Sequence, residues 1–161
     1  MKLFDFAQNT PDPNWNTKDD GVMGGKSESR LCESPEGATF EGTVSRKNFG
    51  GFCYVRSPKI EKNLSDYAAF KIEAKSDGTA FRLLAYTSDR SKSYRSPLIE
   101  LEEKFEIVEI PFKKLYPYFW GWKNPFATRF KPENFKQIGF QTEYKSTGHF
   151  QINFKSIEVT L

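Results

Sequence analysis

The sequence predicts an all-β protein, an antiparallel β-sandwich of jelly-roll type, on three observations. Apolar and polar residues alternate over several short stretches, as expected for strands with one buried and one solvated face. Turns that contain glycine or proline separate these stretches. Aromatic residues make up 16% of the 161 residues, whereas helical periodicity is almost absent. We therefore expect about eight to ten short strands in a single domain over residues 1–161.

The alternation assigns the strands in chain order. A strand is predicted at the amino terminus, and others at residues 26–32, 38–44, 70–75, 81–86 and 138–144. Turns are predicted at residues 34–37, 76–78 and 146–148, where a glycine can adopt positive φ. Between Phe150 and Leu161 the apolar parity shifts, which predicts a β-bulge near Lys155 and Ser156. Single helical turns are predicted at residues 63–67 and 132–135.

Charge and composition disfavour several classes of function. The net charge of +3 is too small to indicate binding to nucleic acid or to a membrane surface. The two cysteines, Cys32 and Cys53, form no C-x-x-C motif, so a zinc or redox site is not expected. We expect two free thiols instead. With His149 as the only histidine, we expect no metal, no cofactor and no enzymatic activity.

The sequence also allows predictions about where in the cell the protein is located. It contains no run of about 20 apolar residues, so no membrane-spanning segment is predicted. No signal or transit segment is visible before the first predicted strand, which favours a cytoplasmic location. A mitochondrial location would require that a precursor segment had been removed.

Two glycine-rich stretches stand out: W-N-T-K-D-D-G-V-M-G-G-K-S at residues 15–27 and N-F-G-G-F-C-Y-V-R-S at residues 48–57. Neither has the spacing of a P-loop or a dinucleotide-binding motif, although consecutive glycine amides can bind an anion and aspartates can bind calcium. If Phe52 faces the core, alternation buries Arg56, which then needs an acidic partner. The alternative interpretation is that Arg56 contacts a ligand. We predict a structural clasp, in which Asp19 or Asp20 pairs with Arg56; its residues are Asp19, Asp20, Gly24, Gly25, Gly50, Gly51 and Arg56.

Residues 112–131 break the strand pattern. This segment has eight aromatic residues, five basic residues, two prolines and no acid, and most of it is too irregular for a strand. Long ordered loops are often functional, and exposed Trp, Tyr and Arg are typical of binding surfaces. The candidate ligand- or partner-binding residues are Tyr116, Tyr118, Trp120, Trp122, Lys123 and Arg129. The other interpretation, a loop that buries most of its rings over one end of the sandwich, remains open.

A second polar segment lies at residues 88–96. It contains four serines together with Arg90, Lys92 and Arg95. Its simplest interpretation is a solvated hairpin without a binding function.

Several motifs together resemble a known family. The stretch at residues 15–27, with V-M-G-G-K-S at its end, resembles the signature of the complex I intermediate-associated protein 30 family. F-E-G-T-V-S at residues 40–45 and N-F-G-G-F-C-Y-V-R-S at residues 48–57 resemble a second block of that family. L-S-D-Y, I-P-F and I-G-F follow in the family's order, so the resemblance covers nearly the whole chain.

The resemblance implies a galactose-binding-like jelly roll and a role as an assembly or chaperone-like factor for a protein complex, with respiratory complex I as a candidate. We therefore expect a non-catalytic binding module with a protein partner. The alternative is a carbohydrate-binding module that uses the exposed aromatic residues of residues 112–131.

Overall fold

The computed structural model describes residues 1–19, 27–45, 51–89, 91–143 and 148–161, without the side chains of Lys18 and Asp19. Two antiparallel sheets contain thirteen strands within these ranges. The strands are β1 (Lys2–Asp5), β2 (Asn16–Asp19), β3 (Glu28–Ser34), β4 (Gly37–Val44), β5 (Cys53–Arg56), β6 (Ala69–Ser76), β7 (Phe81–Tyr86), β8 (Lys92–Arg95), β9 (Glu106–Pro111), β10 (Tyr116–Phe119), β11 (Trp122–Lys123), β12 (Gln137–Thr142) and β13 (Gly148–Thr160). Short 3₁₀ helices occupy Phe112–Lys114 and Pro132–Asn134.

The two sheets pack face to face. The six-stranded sheet has the order β3-β4-β13-β6-β9, with β1 paired to β13. The seven-stranded sheet has the order β11-β10-β8-β7-β12-β5-β2. Neighbours in this order are rarely consecutive in sequence, as expected when the chain crosses repeatedly between two layers. The predicted antiparallel β-sandwich is confirmed.

Phenylalanine rings fill the space between the sheets. Phe140 on β12 stacks on Phe154 on β13, with ring centroids 4.3 Å apart, and so joins the two layers. Phe81 on β7 meets Phe154 edge to face. A second group of rings surrounds Phe70 and consists of Phe112, Phe130 and Phe135. These rings are almost completely buried and supply much of the hydrophobic stabilisation.

The alternation of the sequence predicted β3, β4, β6, β7, β12 and β13, but it did not predict β9, which has six residues. The predicted bulge is confirmed, because the register of β13 against β6 shifts between Phe154 and Ser156. Gly37, the first residue of β4, follows the predicted turn and has a positive φ of 140°, as predicted. Strands are more numerous than the predicted eight to ten, because strands as short as β2, β8 and β11 leave too few residues for a pattern. Cys32 and Cys53 form no disulfide; Cys53 is buried and Cys32 is half-buried.

Candidate binding surface

Residues 116–126, which we call the aromatic hairpin, project from one edge of the seven-stranded sheet. β10 and β11 pair through Tyr118 with Lys123 and through Phe119 with Trp122. The two turn residues, Trp120 and Gly121, have φ values of 49° and 83°. Positive φ at both positions of a two-residue loop is typical of a type I′ turn, which matches the twist of the flanking strands. The segment judged too irregular for a strand therefore contains a tight hairpin.

The hairpin exposes large apolar side chains. Trp120 is 73% exposed, Trp122 is 80% exposed and Phe126 is 96% exposed, while Phe119 is 41% exposed. The backbone amide of Trp120 donates to the Ser91 carbonyl at 2.9 Å, which ties the turn to the segment before β8. Other rings of residues 112–131 are buried, namely Phe112 and Phe130. The segment therefore contains both exposed and buried rings, and its binding role stays a prediction.

The candidate binding residues of this segment do not form one site. Trp120 and Trp122 lie at the tip of the aromatic hairpin. Tyr116, Tyr118 and Lys123 share one face of the seven-stranded sheet, where the Lys123 ammonium lies 4.3 Å from the Tyr116 ring centroid. Arg129 lies apart from them, exposed, and donates to the Lys113 carbonyl at 3.0 Å.

The outward face of the seven-stranded sheet carries a second candidate surface. One row of directly paired residues crosses five strands: Arg56, Gly139, Leu84, Arg95 and Tyr116. Directly paired residues present their side chains on the same face of a sheet. We call this surface the Tyr–Arg face; its residues are Tyr54, Arg56, Tyr86, Arg95, Tyr116, Tyr118 and Lys123. Its opposite side is the core, which holds Val55, Leu83 and Phe140.

Cations lie against the tyrosine rings of the Tyr–Arg face. The guanidinium carbon of Arg56 lies 3.8 Å from the Tyr86 ring centroid, and that of Arg95 lies 4.4 Å from the Tyr118 centroid. Guanidinium planes stack favourably on aromatic rings while their N–H groups stay available for other partners. The face therefore presents stacked cations rather than bare rings.

Burial changes the ionisation of this face. Burial raises the pKa of the Tyr86 hydroxyl, and the nearby positive charge of Arg56 opposes that rise. Burial lowers the pKa of the Arg95 guanidinium, which nevertheless stays charged because the ordinary pKa of arginine is so high. Among the described residues, neither Arg56 nor Arg95 forms an ion pair with a carboxylate, and Arg56 Nε is buried without a hydrogen-bond partner. The Glu143 carboxylate pairs with Arg82 at 3.7 Å.

The predicted clasp lies largely outside the described residues. Asp20, Gly24, Gly25 and Gly50 are not described, and neither is the Asp19 side chain, so the clasp stays a prediction. The backbone does bring the two glycine-rich stretches together, because β2 pairs with β5 and places Asp19 opposite Cys53. Gly51, just before β5, is buried and has φ 141°.

The orientation assumed for Phe52 is wrong. Cys53 and Val55 are the buried residues of β5, so Phe52, Tyr54 and Arg56 belong to the opposite parity. The Phe52 ring lies 6.2 Å from that of Tyr54. Arg56 therefore lies half-buried on the outward Tyr–Arg face instead of in the core. Apolar or aromatic residues occur at both alternating sets of positions in this segment, so alternation alone could not show which set faces the core.

Sequence reasoning also misplaced Arg95. The segment at residues 88–96 was interpreted as a solvated hairpin, but β8 lies inside the sheet between β7 and β10. Ser93 and Ser96 are buried, and Arg95 is half-buried. The available signal was the alternation in K-S-Y-R, which is too short to separate a strand from a loop. Tyr86 was missed because it follows the buried Leu84 on its face of β7, as a core residue would.

The six-stranded sheet carries a shallow polar groove near the single histidine. This groove of about 380 Å³ is lined by Glu28, Ser29, Arg30, Glu41, Gly42, Thr43 and His149. Arg30 and Glu41 pair with each other at 2.6 Å. Within the described ranges, no three His, Cys, Asp or Glu side chains are placed to hold a metal ion. No described helix is long and apolar enough to span a membrane.

Comparison with known sequences identifies the family. Residues 4–154 match the family described as complex I intermediate-associated protein 30. The chain belongs to this family. The resemblance of the glycine-rich stretches to the family's signature is thereby confirmed. Among curated proteins, no relative matches the sequence.

Several solved structures that resemble this fold are carbohydrate-binding modules. A family 11 module of a cellulosomal cellulase from Clostridium thermocellum has a TM-score of 0.72 and 15% identity, over 99% of this chain and 93% of that one. The Clostridium thermocellum family 11 module in complex with a β-1,3-1,4-mixed-linked tetrasaccharide has a TM-score of 0.68 and 16% identity, over 99% and 94% of the two chains. A family 29 carbohydrate-binding module has a TM-score of 0.55 and 11% identity, over 99% of this chain and 90% of that one. At these identities the likeness establishes the β-sandwich fold alone.

Proposed function

We propose that this member of the complex I intermediate-associated protein 30 family is a non-catalytic binding module that docks on a partner protein during assembly of a complex. The observation that carries this proposal is the aromatic hairpin, where Phe119, Trp120, Trp122 and Phe126 are all exposed within one short segment. Clustered exposed apolar side chains are typical of interaction sites, and Trp is enriched among the residues that dominate binding energy.

The hairpin geometry supports a docking role. A tight turn holds Trp120, and pairing with Phe119 fixes the strand that carries Trp122. A rigid loop loses little conformational entropy on binding, so more of the contact energy appears as affinity. The family description makes an assembly intermediate of respiratory complex I the first partner to test.

The test is capture of complex I subunits by the purified protein, with crosslinking and mass spectrometry. We expect the unmodified chain to retain subunits of an assembly intermediate, and the W120A/W122A double variant to lose them. Ile107→Ala is the control, because Ile107 is 65% exposed and lies on β9 of the other sheet. Absence of complex I subunits from the unmodified chain's capture, or equal capture by the double variant, contradicts the proposal.

A second candidate function is carbohydrate binding by the same hairpin. Trp120 and Trp122 offer open ring faces on which a pyranose ring can stack, and the fold is that of carbohydrate-binding modules. Titration calorimetry with a β-1,3-1,4-mixed-linked glucan tetrasaccharide tests it. Binding that disappears in W120A/W122A and persists in Ile107→Ala supports this function, whereas absence of heat from the unmodified chain excludes this ligand.

A further inference from the structure

The Tyr–Arg face contains two arginines that have no acidic partner among the described residues. Arg56 and Arg95 are half-buried, and neither pairs with a carboxylate among the described residues. Arg56 has a buried Nε without a hydrogen-bond partner there, and Arg95 Nε reaches only the Ser93 hydroxyl at 3.3 Å. Burying a charge without a partner is unfavourable, so such groups are usually compensated by an opposite charge. A carboxylate from outside the chain would supply it, and for Arg56 this is the alternative to the pairing with Asp19 or Asp20 predicted from the sequence.

Cations already cover one side of three tyrosine rings of this face, so a ligand cannot stack on that side. Arg56 covers Tyr86, Arg95 covers Tyr118 and Lys123 covers Tyr116, at centroid distances of 3.8, 4.4 and 4.3 Å. A guanidinium stacked on a ring keeps N–H groups for other partners, and two of these groups match the two oxygens of a carboxylate. This favours a carboxylate ligand over a neutral sugar.

The surface between the two arginines is formed by Gly139, Leu84 and the Tyr86 ring, which lies against Gly139. Gly139 and Leu84 separate Arg56 from Arg95 in the row across the sheet, and Gly139 has no side chain. Three strand spacings put the two arginine Cα atoms about 14 Å apart, which is close to the length of four residues of an extended chain. An extended peptide can therefore reach both arginines with acidic residues a few positions apart.

The Tyr–Arg face is continuous with the aromatic hairpin. β10 contributes Tyr116 and Tyr118 to the face and then leads through Phe119 into the turn at Trp120. Phe119 and Trp122 lie on the opposite face of β10 and β11 from Tyr118 and Lys123, so the turn at Trp120 is the part of the hairpin that borders the Tyr–Arg face. This continuity favours a protein segment as the source of the carboxylates.

We propose that the Tyr–Arg face binds an acidic, extended peptide segment of the partner, whose Asp or Glu carboxylates pair with Arg56 and Arg95. The assignment of the anion to a protein rests on the docking function proposed above. The anion site itself rests on the contacts of Arg56 and Arg95.

The test uses a fluorescein-labelled peptide of ten glutamates and measures anisotropy at low salt, with the full chain. We expect saturable binding that weakens at least about tenfold in Arg56→Gln and in Arg95→Gln, because each change removes a charge-assisted pair. Lys104→Gln removes the same charge from an exposed site beside β9 and should change the affinity by less than about twofold. Arg56→Lys keeps the charge but loses the paired N–H groups, and intermediate weakening is expected. Thermal unfolding confirms that each variant is folded.

Three results would overturn the inference: no binding of the glutamate peptide, equal weakening by Lys104→Gln and the arginine variants, or tighter Arg-dependent binding of polygalacturonate than of the peptide. The last would assign the face to an acidic glycan. None of them removes hairpin-dependent capture of complex I subunits. Conversely, W120A/W122A should leave peptide affinity within about twofold if the arginines alone hold the carboxylates, so the two proposals fail separately.

Discussion

The Arg56 guanidinium and the Tyr86 ring, 3.8 Å apart, link two strands that are not neighbours. β5 carries Arg56 and β7 carries Tyr86, and β12 lies between them. The contact can form because the intervening residue of the row, Gly139, has no side chain. A Cβ at Gly139 would lie 2.6 Å from the Val55 carbonyl oxygen and 3.4 Å from Tyr86 Cε2. The glycine thus makes room for the stack at the centre of the Tyr–Arg face.

Substituting Gly139→Ala should lower the free energy of unfolding by about 1–3 kcal/mol, because the new methyl group meets backbone that cannot move without disturbing β5. Urea unfolding, followed by tryptophan fluorescence, measures the change. Gln8→Ala, an exposed position, serves as control and should change stability by less than about 0.5 kcal/mol. If the Gly139→Ala variant is as stable as the unmodified chain, the close approach to Val55 has no energetic consequence.

Tyr86 should make stability fall at alkaline pH. Burial raises the pKa of its hydroxyl in the folded chain, so the unfolded chain loses this proton at a lower pH than the folded chain does. The folded state then binds more protons, and the free energy of unfolding decreases as pH rises beyond about 10, the ordinary tyrosine value. Tyr86→Phe removes this contribution. Unfolding free energies measured between pH 8 and pH 11 should fall less steeply in Tyr86→Phe, and parallel curves would refute the assignment.

The sequence was sufficient for the sandwich and insufficient for the Tyr–Arg face, for a physical reason. Strands such as β4, β6 and β13 have one polar and one apolar face, so alternation reveals them. Arg56 and Arg95 lie on β5 and β8, which have four residues each. Their juxtaposition depends on sheet order, since the two strands are separated by β12 and β7. Long-range order of this kind leaves no local trace in the sequence.

Two Ser-Pro pairs end strands of the seven-stranded sheet in the same way. Ser57 Oγ accepts from the Ile138 amide at 3.0 Å and donates to the Pro58 carbonyl at 2.8 Å. Ser96 Oγ likewise accepts from the Leu83 amide at 3.0 Å and donates to the Pro97 carbonyl at 2.7 Å. Each hydroxyl thus satisfies a buried amide where proline, which has no N–H, cannot continue the ladder in the usual way.

Ser57→Ala and Ser96→Ala should each lower the free energy of unfolding by about 1–3 kcal/mol, because each leaves a buried amide unpaired. Denaturant unfolding of the two variants, beside the exposed control Ser65→Ala, measures the effect. Loss of comparable stability in Ser65→Ala would contradict the role given to the two buried hydroxyls.

Trp120 is strained, and its replacement should separate stability from binding. Its φ of 49° lies in the left-handed region, which costs a residue with a Cβ roughly 1–2 kcal/mol, whereas Asn tolerates this conformation better. Because the side chain is 73% exposed, it gains little burial in return. We expect Trp120→Asn to raise the free energy of unfolding by up to about 1 kcal/mol while capture of the partner is lost.

Trp122→Asn provides the matched control for that prediction. Trp122 is similarly exposed but lies in β11, where Asn is unfavourable, so this variant should lose capture without any gain in stability. Urea unfolding and complex I subunit capture, measured on the same preparations, give both quantities. A strained residue that weakens the fold is retained when it serves binding. If Trp120→Asn is less stable than the unmodified chain, the strain is offset by contacts of the indole, and Trp120 supports the hairpin instead of a partner.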